Sequence, residues 1–599
     1  MIFCRSNSLL RDAGPRWQLR IPTYLVAICA AAYFVISATP SASEEPRFVS
    51  AELLQLAAAD GIGKSSVYGT YLAALAAERS WDLRQAATLM ARVLEENSDD
   101  EQLMRSAFKL SLSAGLVEPS LALARKIDSA GIKDPISNLL LVIRSVQDKN
   151  YGTARDRLAV PQDKGMAAFA ASIAVAWAAF GVNDVDGALS SLAQLKDGDG
   201  FGVLRQLQEG LINDLGGRPE AAEAAYRSLM QNSADTPVRI IRAIGSFLER
   251  QGRANEAREI YDGYVSNHPG SNLFEAELNR VEKGQAGQQI VTNPAEGIAE
   301  GLFHLASAVP KNRGDELAML YAQLALAARP DFALAKLLVG DLLDFRRRYS
   351  DANDVYLSIG PESPFRWAAQ LRIANNLNDL DDLEGAVNLL GKLAEERLDR
   401  PEPLIIQGNL LRYSERFSDA IQAYDKAFTR IDKIEKGHWN LYYNRGVALE
   451  RTKLWDRAEA DFLKALELEP DQPFVLNYLG YSWVEQGRNI GRARKMIEKA
   501  VSRRRDDGYI IDSLGWVLYR LGEWKEAARH LERAVLLRPQ DAVINDHFGD
   551  ALWRVDRRNE ARFQWKRALS MEPDEELIKG IEAKLKNGLG RPEVLEQDG

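Results

Sequence analysis

Residues 514–539 read LGWVLYRLGEWKEAARHLERAVLLRP, and residues 548–573 read FGDALWRVDRRNEARFQWKRALSMEP. Aligned, Gly515 falls on Gly549, Ala527 on Ala561, Leu531 on Trp565, Ala534 on Ala568 and Pro539 on Pro573, every pair thirty-four residues apart. Upstream, Gly446, Ala458, Phe462, Ala465 and Pro470 keep the same spacing. Self-similarity at this period marks an architecture of stacked helix pairs. A small residue at the eighth position of each unit and Ala at the twentieth let helices A and B approach closely. The large apolar residue at the twenty-fourth fills the gap between them, and proline at the thirty-second ends helix B.

The pattern resembles the tetratricopeptide repeat. That resemblance implies an all-α solenoid, a right-handed superhelix of helix-turn-helix units. With the eighth position as marker, fourteen repeats register: Ala74, Phe108, Val142, Ala176, Gly210, Gly245, Ala306, Gly340, Ala374, Gly408, Gly446, Gly480, Gly515 and Gly549. Three intervals depart from the period. One extra residue before Ala493 predicts a longer A-to-B turn at 488–491, and four extra before Gly446 fall in the charged connector IDKIEKG, 431–437. Between Gly245 and Ala306 the gap is sixty-one residues and contains EKGQAGQQIVTNP, 282–294. Its Gly, Gln and Asn content predicts a division of the solenoid into two semi-independent arms.

The expected organisation is an export segment over 1–43, a linker and capping stretch over 44–66, an N-terminal arm over 67–270, an interruption over 271–298 and a C-terminal arm over 299–574. A capping helix over 575–587 and a disordered tail over 588–599 complete it. The cap is expected because each repeat buries its apolar stripe only against its neighbours, so the last one needs a cover. The amphipathic stretch EELIKGIEAKLK, 575–586, supplies it.

The 599 residues are 46% hydrophobic and 27% charged, the composition of a folded protein. The net charge of -9 is spread out, without a basic stripe able to follow a phosphate backbone, which argues against nucleic acid as a partner. Both cysteines, Cys4 and Cys29, precede residue 30, so the body carries no thiol chemistry, a usage suited to an oxidising compartment. Arg5, Arg11, Arg16 and Arg20 precede the apolar run YLVAICAAAYFVIS, 24–37, and the small residues Ser41-Ala42-Ser43. This is an export signal with a cleavage point after Ser43. The apolar stretch from Ile21 to Ala38 also approaches the length that spans a bilayer, so an uncleaved anchor is the other expectation. Membrane contact is expected through this segment alone, and bulky Ile28 before Cys29 does not suit a lipobox. Either outcome places the body in the periplasm or cell envelope.

The repeats leave no stretch for a catalytic domain, and the chain reads as a non-enzyme without cofactor or metal. His268, His304, His438, His530 and His547 are scattered, with no metal-ligand spacing. Asp197-Gly198-Asp199-Gly200 resembles the start of a calcium loop, but Phe201 and Gln208 stand where ligands belong, so it reads as a turn between repeats. The tetratricopeptide resemblance implies that helix A lines the concave face, its second, fifth, ninth, twelfth and thirteenth positions pointing inward. On the C-terminal arm these positions give a candidate partner-binding groove of Tyr413, Tyr443, Asn477, Tyr481, Tyr509, Asp512, Trp516, Tyr519, Arg520, Asp550, Trp553 and Arg554. Aromatics beside Asn and Arg are the composition of protein-binding hot spots. The alternative is that they fill space between adjacent A helices. The N-terminal equivalents Leu204, Leu207, Leu211 and Leu215 read as packing.

A narrower resemblance rests on Asn293-Pro294-Ala295-Glu296-Gly297, Ala299-Glu300-Gly301-Leu302-Phe303, Asn477-Tyr478-Leu479-Gly480-Tyr481 and Asp512-Ser513-Leu514-Gly515-Trp516 with the residues to Gly522. These look like a bacterial envelope family that includes the lipoprotein adaptor of the periplasmic carboxyl-terminal processing protease. The resemblance implies a non-catalytic scaffold whose protein partners are a periplasmic serine protease and its substrates, among them cell-wall hydrolases. A scaffold for assembly or export of envelope polysaccharide is the alternative.

Overall fold

The computed structural model describes residues 66–158, 165–193, 202–231, 236–268, 273–310, 314–592 and 594–595. The export segment, the 44–65 stretch and the Asp197–Gly200 turn lie outside the described residues. Thirty α-helices and no strand occur among the described residues. Fourteen A–B pairs and two single helices, Glu275–Glu282 and Glu575–Asn587, account for all thirty, and each of the fourteen markers lies in an A helix. None of these helices is long and apolar enough to cross a membrane.

Local chemistry sets the helix ends. Asp100, Asp541 and Asp574 accept the main-chain N–H of Leu103, Ile544 and Leu577 at 2.9, 3.0 and 2.9 Å, closing donors that the first turn leaves open. In every repeat whose A-to-B turn is described, the residue seven past the marker is left-handed, as at Gly217 (φ 70), Gly252 (φ 74), Lys149 (φ 60) and Asp556 (φ 65). Glycine adopts this geometry freely, whereas a residue with a Cβ loses about 1 kcal/mol there. The extra residue near Ala493 enlarges one such turn, which runs from Gln486 to Asn489.

The marker position works as the spacing implies. A Cβ on Gly408, Gly515 or Gly549 would lie 2.5 Å from Tyr424, Leu531 or Trp565, so the twenty-fourth side chain occupies the space the glycine leaves. Its polar tip then reaches back to helix A. Tyr424 donates to Asn409 at 2.8 Å, Tyr356 to Asp341 at 2.7 Å and the Trp565 indole to Asp550 at 2.9 Å. These bonds satisfy donors that would be costly to bury unpaired.

The described residues divide into two compact units between Asp381 and Asp382. This corrects the expected division at 271–298. In the unit that ends at Asp381, the interruption is folded down onto helix Val238–Arg250. Arg242 bonds Glu277 at 2.7 Å with both side chains 8% exposed, and Arg280 bonds Glu249 at 2.8 Å. Ser246 donates to the Gln288 carbonyl, Arg329 donates to the Ile290 carbonyl at 3.2 Å, and Val291 is buried. The Gly and Gln content that suggested a linker leaves main chain free to be hydrogen-bonded by the neighbouring helix.

Asn293 then caps helix Pro294–Ala308. This helix and its partner Asp315–Ala328 pack on the A helices Glu101–Ser113, Pro135–Gln147, Met166–Gly181 and Gly202–Leu215. Gly297 and Gly301, one turn apart, permit the approach: a Cβ at 297 would overlap the Trp177 ring, and one at 301 would sit 2.7 Å from Ile173. Glu300, fully buried, takes both arms of the Arg239 guanidinium, with Nε to Oε2 at 2.8 Å. Gln147 donates to the Ala327 carbonyl at 2.8 Å, and Gln323 to the Ser113 carbonyl at 3.3 Å. The A-helix face of the earlier repeats is thus occupied by the seventh repeat of the same chain. Leu204, Leu207 and Leu211 are buried as packing residues accordingly.

Candidate functional site

In the unit from Asp382 onward, three consecutive A helices, Pro473–Glu485, Gly508–Arg520 and Ala542–Arg554, bring one aromatic and charged cluster together. Trp516 lies at its middle. Its indole N–H donates to Glu485 at 2.7 Å, and its ring stacks on Tyr519 (centroids 4.9 Å apart) and on His547 (4.1 Å). Arg520 pairs with Glu485 at 3.2 Å, and Arg554 donates to the Tyr519 hydroxyl at 3.2 Å. His547 Nδ1 lies 3.1 Å from both oxygens of Asp512, which is buried. Burial pushes the Tyr481 phenol well above its usual pKa, and the nearby carboxylates of Glu485 and Asp512 add to this.

Several of the twelve groove residues are placed differently. Tyr509 is 6% exposed, in the core, with the Arg538 guanidinium 5.0 Å from its ring centroid. Tyr443 packs between Phe462 and Tyr478, at centroid distances of 6.1 and 6.0 Å, and fills space between helices. Tyr413 is 56% exposed under Arg412, which covers its ring at 4.3 Å. Asn477 is half-buried, and its Oδ1 has no hydrogen-bond partner. Asp550 is taken by the Trp565 indole and by Lys584 at 2.8 Å. Lys584 belongs to the single helix Glu575–Asn587, whose Ile581 is buried and which contacts helix Arg558–Leu569 as a cap would.

The segment after that helix corrects the expectation of a disordered tail. Its described residues run along the ends of the A helices. Gly588 adopts φ 70 against Trp553, where a Cβ would overlap the indole. Arg554 donates to the Gly590 carbonyl at 2.7 Å, and the Leu595 N–H donates to the Arg520 carbonyl at 2.9 Å. Val594 lies over Gly522 and Leu595 over Gly487. Trp553 is held on its other side by Arg558, 4.2 Å from a ring centroid.

Sequence reasoning missed Glu485, His547 and Lys584. Glu485 stands at the same thirteenth position as Arg520 and Arg554, so the inward mapping itself contains it. His547 stands one place past the fifth position and reaches Asp512 of the preceding repeat, which no single-repeat pattern exposes. Among the described residues no group of three His, Cys, Asp or Glu is arranged to hold a metal ion.

The cluster carries a pH dependence. Burial disfavours the charged imidazole of His547, yet Asp512, with Asp546 and Asp550 on its own helix, outweighs burial and holds its pKa above the usual value. Burial, then the neighbouring Asp550, lifts Asp546 to about 6 against the pull of Lys584. Both shifts have the same sign. The His547 contribution is complete below an ordinary histidine pKa and is lost as pH rises through the folded one, and Asp546 becomes a burden as pH rises from about 4 to about 6. Hydrogen exchange of helix Ala542–Arg554, corrected for intrinsic rate, is therefore expected to be faster at pH 8 than at pH 5. Equal or greater protection at pH 8 contradicts this arrangement of charges.

Family models of the tetratricopeptide repeat match residues 243–271, 407–473 and 510–541. These segments are tetratricopeptide repeats. The chain is 30% identical over 193 residues to the TPR repeat-containing protein PA4667 of Pseudomonas aeruginosa, a match spanning 32% of each protein. Among solved structures, a hetero-tetramer of Cut9 and Hcn1 from the APC/C aligns over 90% of this chain and 98% of that one, at 14% identity and a TM-score of 0.37. YrrB, a tetratricopeptide-repeat protein with an unusual peptide-binding site, aligns over 32% of this chain and 97% of that one, at 22% identity and a TM-score of 0.26.

Proposed function

We propose that this chain is a non-catalytic adaptor of the bacterial cell envelope that holds protein partners on the A-helix face of helices Pro473–Arg554. Tetratricopeptide repeats generally serve as protein-interaction scaffolds, and the observation that carries the choice of face is an asymmetry between the two units. The A helices of the first five repeats are filled by the chain's own helices Pro294–Ala308 and Asp315–Ala328. The cluster around Trp516 and Arg520 has no such helix over it, and Trp516, Tyr519 and Arg520 remain partly exposed. Rigid aromatics flanked by Arg make anchors that lose little entropy on binding.

The Arg-rich start and apolar run support export, and the envelope-family resemblance supports a periplasmic carboxyl-terminal processing protease and its cell-wall hydrolase substrates as the partners. A photo-cross-linking residue placed at Tyr481 or Tyr519 in cells is expected to capture a periplasmic serine protease or its substrate. The same residue at Leu207, under the seventh repeat, is expected to capture none. Capture from Leu207 and none from the Trp516 face contradicts the proposal, and capture of polysaccharide-export proteins alone replaces the partner class.

A further inference from the structure

The Trp516 face is not empty in the folded chain. The segment that follows the cap forms neither helix nor strand, and it holds to the A-helix ends at two separated places. At the first, Gly588 and Gly590 meet Trp553 and Arg554. At the second, Val594 and Leu595 meet Gly522, Gly487 and the Arg520 carbonyl. Between them Arg591 and Pro592 stand in solvent. The contacts use the side chains and main chain already assigned to partner binding.

Each contact specifies a chemistry. The Arg520 carbonyl is among the last four of its helix, which intrahelical bonding leaves open, and it takes a main-chain N–H. The Arg554 guanidinium takes a main-chain carbonyl. Gly522 and Gly487 leave shelves that aliphatic side chains cover, and Trp553 admits only glycine at the point of closest approach. Pro592 pre-sets an extended chain and needs no acceptor for a missing N–H. A short segment held by two main-chain bonds and a few half-buried contacts is bound weakly for its size, and its tether supplies an effective concentration of order millimolar.

We propose that Gly588–Leu595 is a displaceable occupant of the groove, and that the partner fitting this surface is an extended peptide segment, glycine-bearing at one end and aliphatic at the other, that replaces it. The proposal rests on the reading of this face as protein-binding. A partner in trans meets only the fraction of molecules in which the segment has lifted away, so its apparent affinity is reduced by that fraction.

The test uses the full chain and a fluorescein-labelled peptide of residues 588–599, followed by anisotropy. The double variant Val594→Asp, Leu595→Asp lifts the resident segment and is expected to bind the peptide at least about tenfold more tightly than the unaltered chain. Adding Arg554→Ala to that variant is expected to remove the gain. Both residues lie at the surface of the fold, and a circular dichroism melt checks that the variant is intact. If it melts lower, Leu595→Asp alone is used, with hydrogen exchange of 588–595 reporting release. Equal binding by the unaltered and released chains overturns the proposal, and so does binding by neither. No partner enters these measurements, so such a result leaves the adaptor reading to be judged by the cross-links from Tyr481 and Tyr519.

Discussion

Glu300→Ala is expected to destabilise the unit that ends at Asp381 by about 3–5 kcal/mol, the loss typical of removing one member of a buried ion pair. Glu300 has no exposed surface, and its carboxylate takes both arms of Arg239, whose side chain is 11% exposed. Arg329 adds a third charge at 3.9 Å, so the alanine strands two guanidinium groups beside an apolar helix. His304 makes the loss worse at low pH. It accepts or shares a hydrogen at 2.7 Å with the Glu300 carbonyl, and burial, aided by Arg239, holds its pKa down at about 3. Its neutral form contributes stability above an ordinary histidine pKa, and that contribution fades as pH falls from about 6.5 towards 3. Urea melts of the variant are therefore expected to show a lowered first transition, with the unit from Asp382 onward unmoved. The control is Arg239→Met with Glu300→Leu, which removes both charges and is expected to recover most of the loss, because a hydrophobic replacement of a buried pair is often neutral. A single Glu300→Ala variant that melts like the unaltered chain shows that helix Pro294–Ala308 does not hold the unit together.

The helices were legible because their information is local and repeated. Gly515 against Leu531 and Gly549 against Trp565 are contacts between residues sixteen apart, and the thirty-four-residue period displays them many times over. A second local signal, the left-handed residue seven past each marker, was present in Gly115, Gly217, Gly252, Gly487 and Gly522 and goes unread when only the marker itself is followed. The division of the chain was not legible. A break in register at 282–294 records an insertion, whereas the unit boundary depends on where helix Pro294–Ala308 packs, more than a hundred residues from Trp177 in sequence. The clue that did exist is chemical: Gly297 and Gly301 one turn apart, with Glu300 between them in an otherwise apolar helix, describe a helix pressed into an interior and paired there.

The groove was partly legible for the same reason. The inward positions of helix A locate Trp516, Tyr519, Arg520 and Arg554 on one face, and the structure brings these four together. It separates Tyr509, which the start of its helix turns into the core, and Asp550, which the cap's Lys584 claims. Neither outcome follows from one repeat in isolation, because in both cases the deciding neighbour belongs to another repeat or to the cap. The segment Gly588–Leu595 was expected to be disordered because it has no periodicity, yet two main-chain hydrogen bonds and glycine shelves need none.

The account's central claim is that the face built by helices Pro473–Arg554 binds the partner, and replacing Trp516 and Tyr481 together by Ala tests it most directly. The substitutions remove the indole that stacks on Tyr519 and His547 and bonds Glu485, together with the phenol packed beside Glu485, Asp512 and Arg520. Loss of one hot-spot aromatic costs about 2 kcal/mol or more, roughly thirtyfold in affinity. Titration of the partner captured from Tyr519, against the unaltered chain and the double variant, is expected to show at least that loss with helical content retained. Unchanged affinity in a variant that stays helical and melts at the unaltered temperature contradicts the claim.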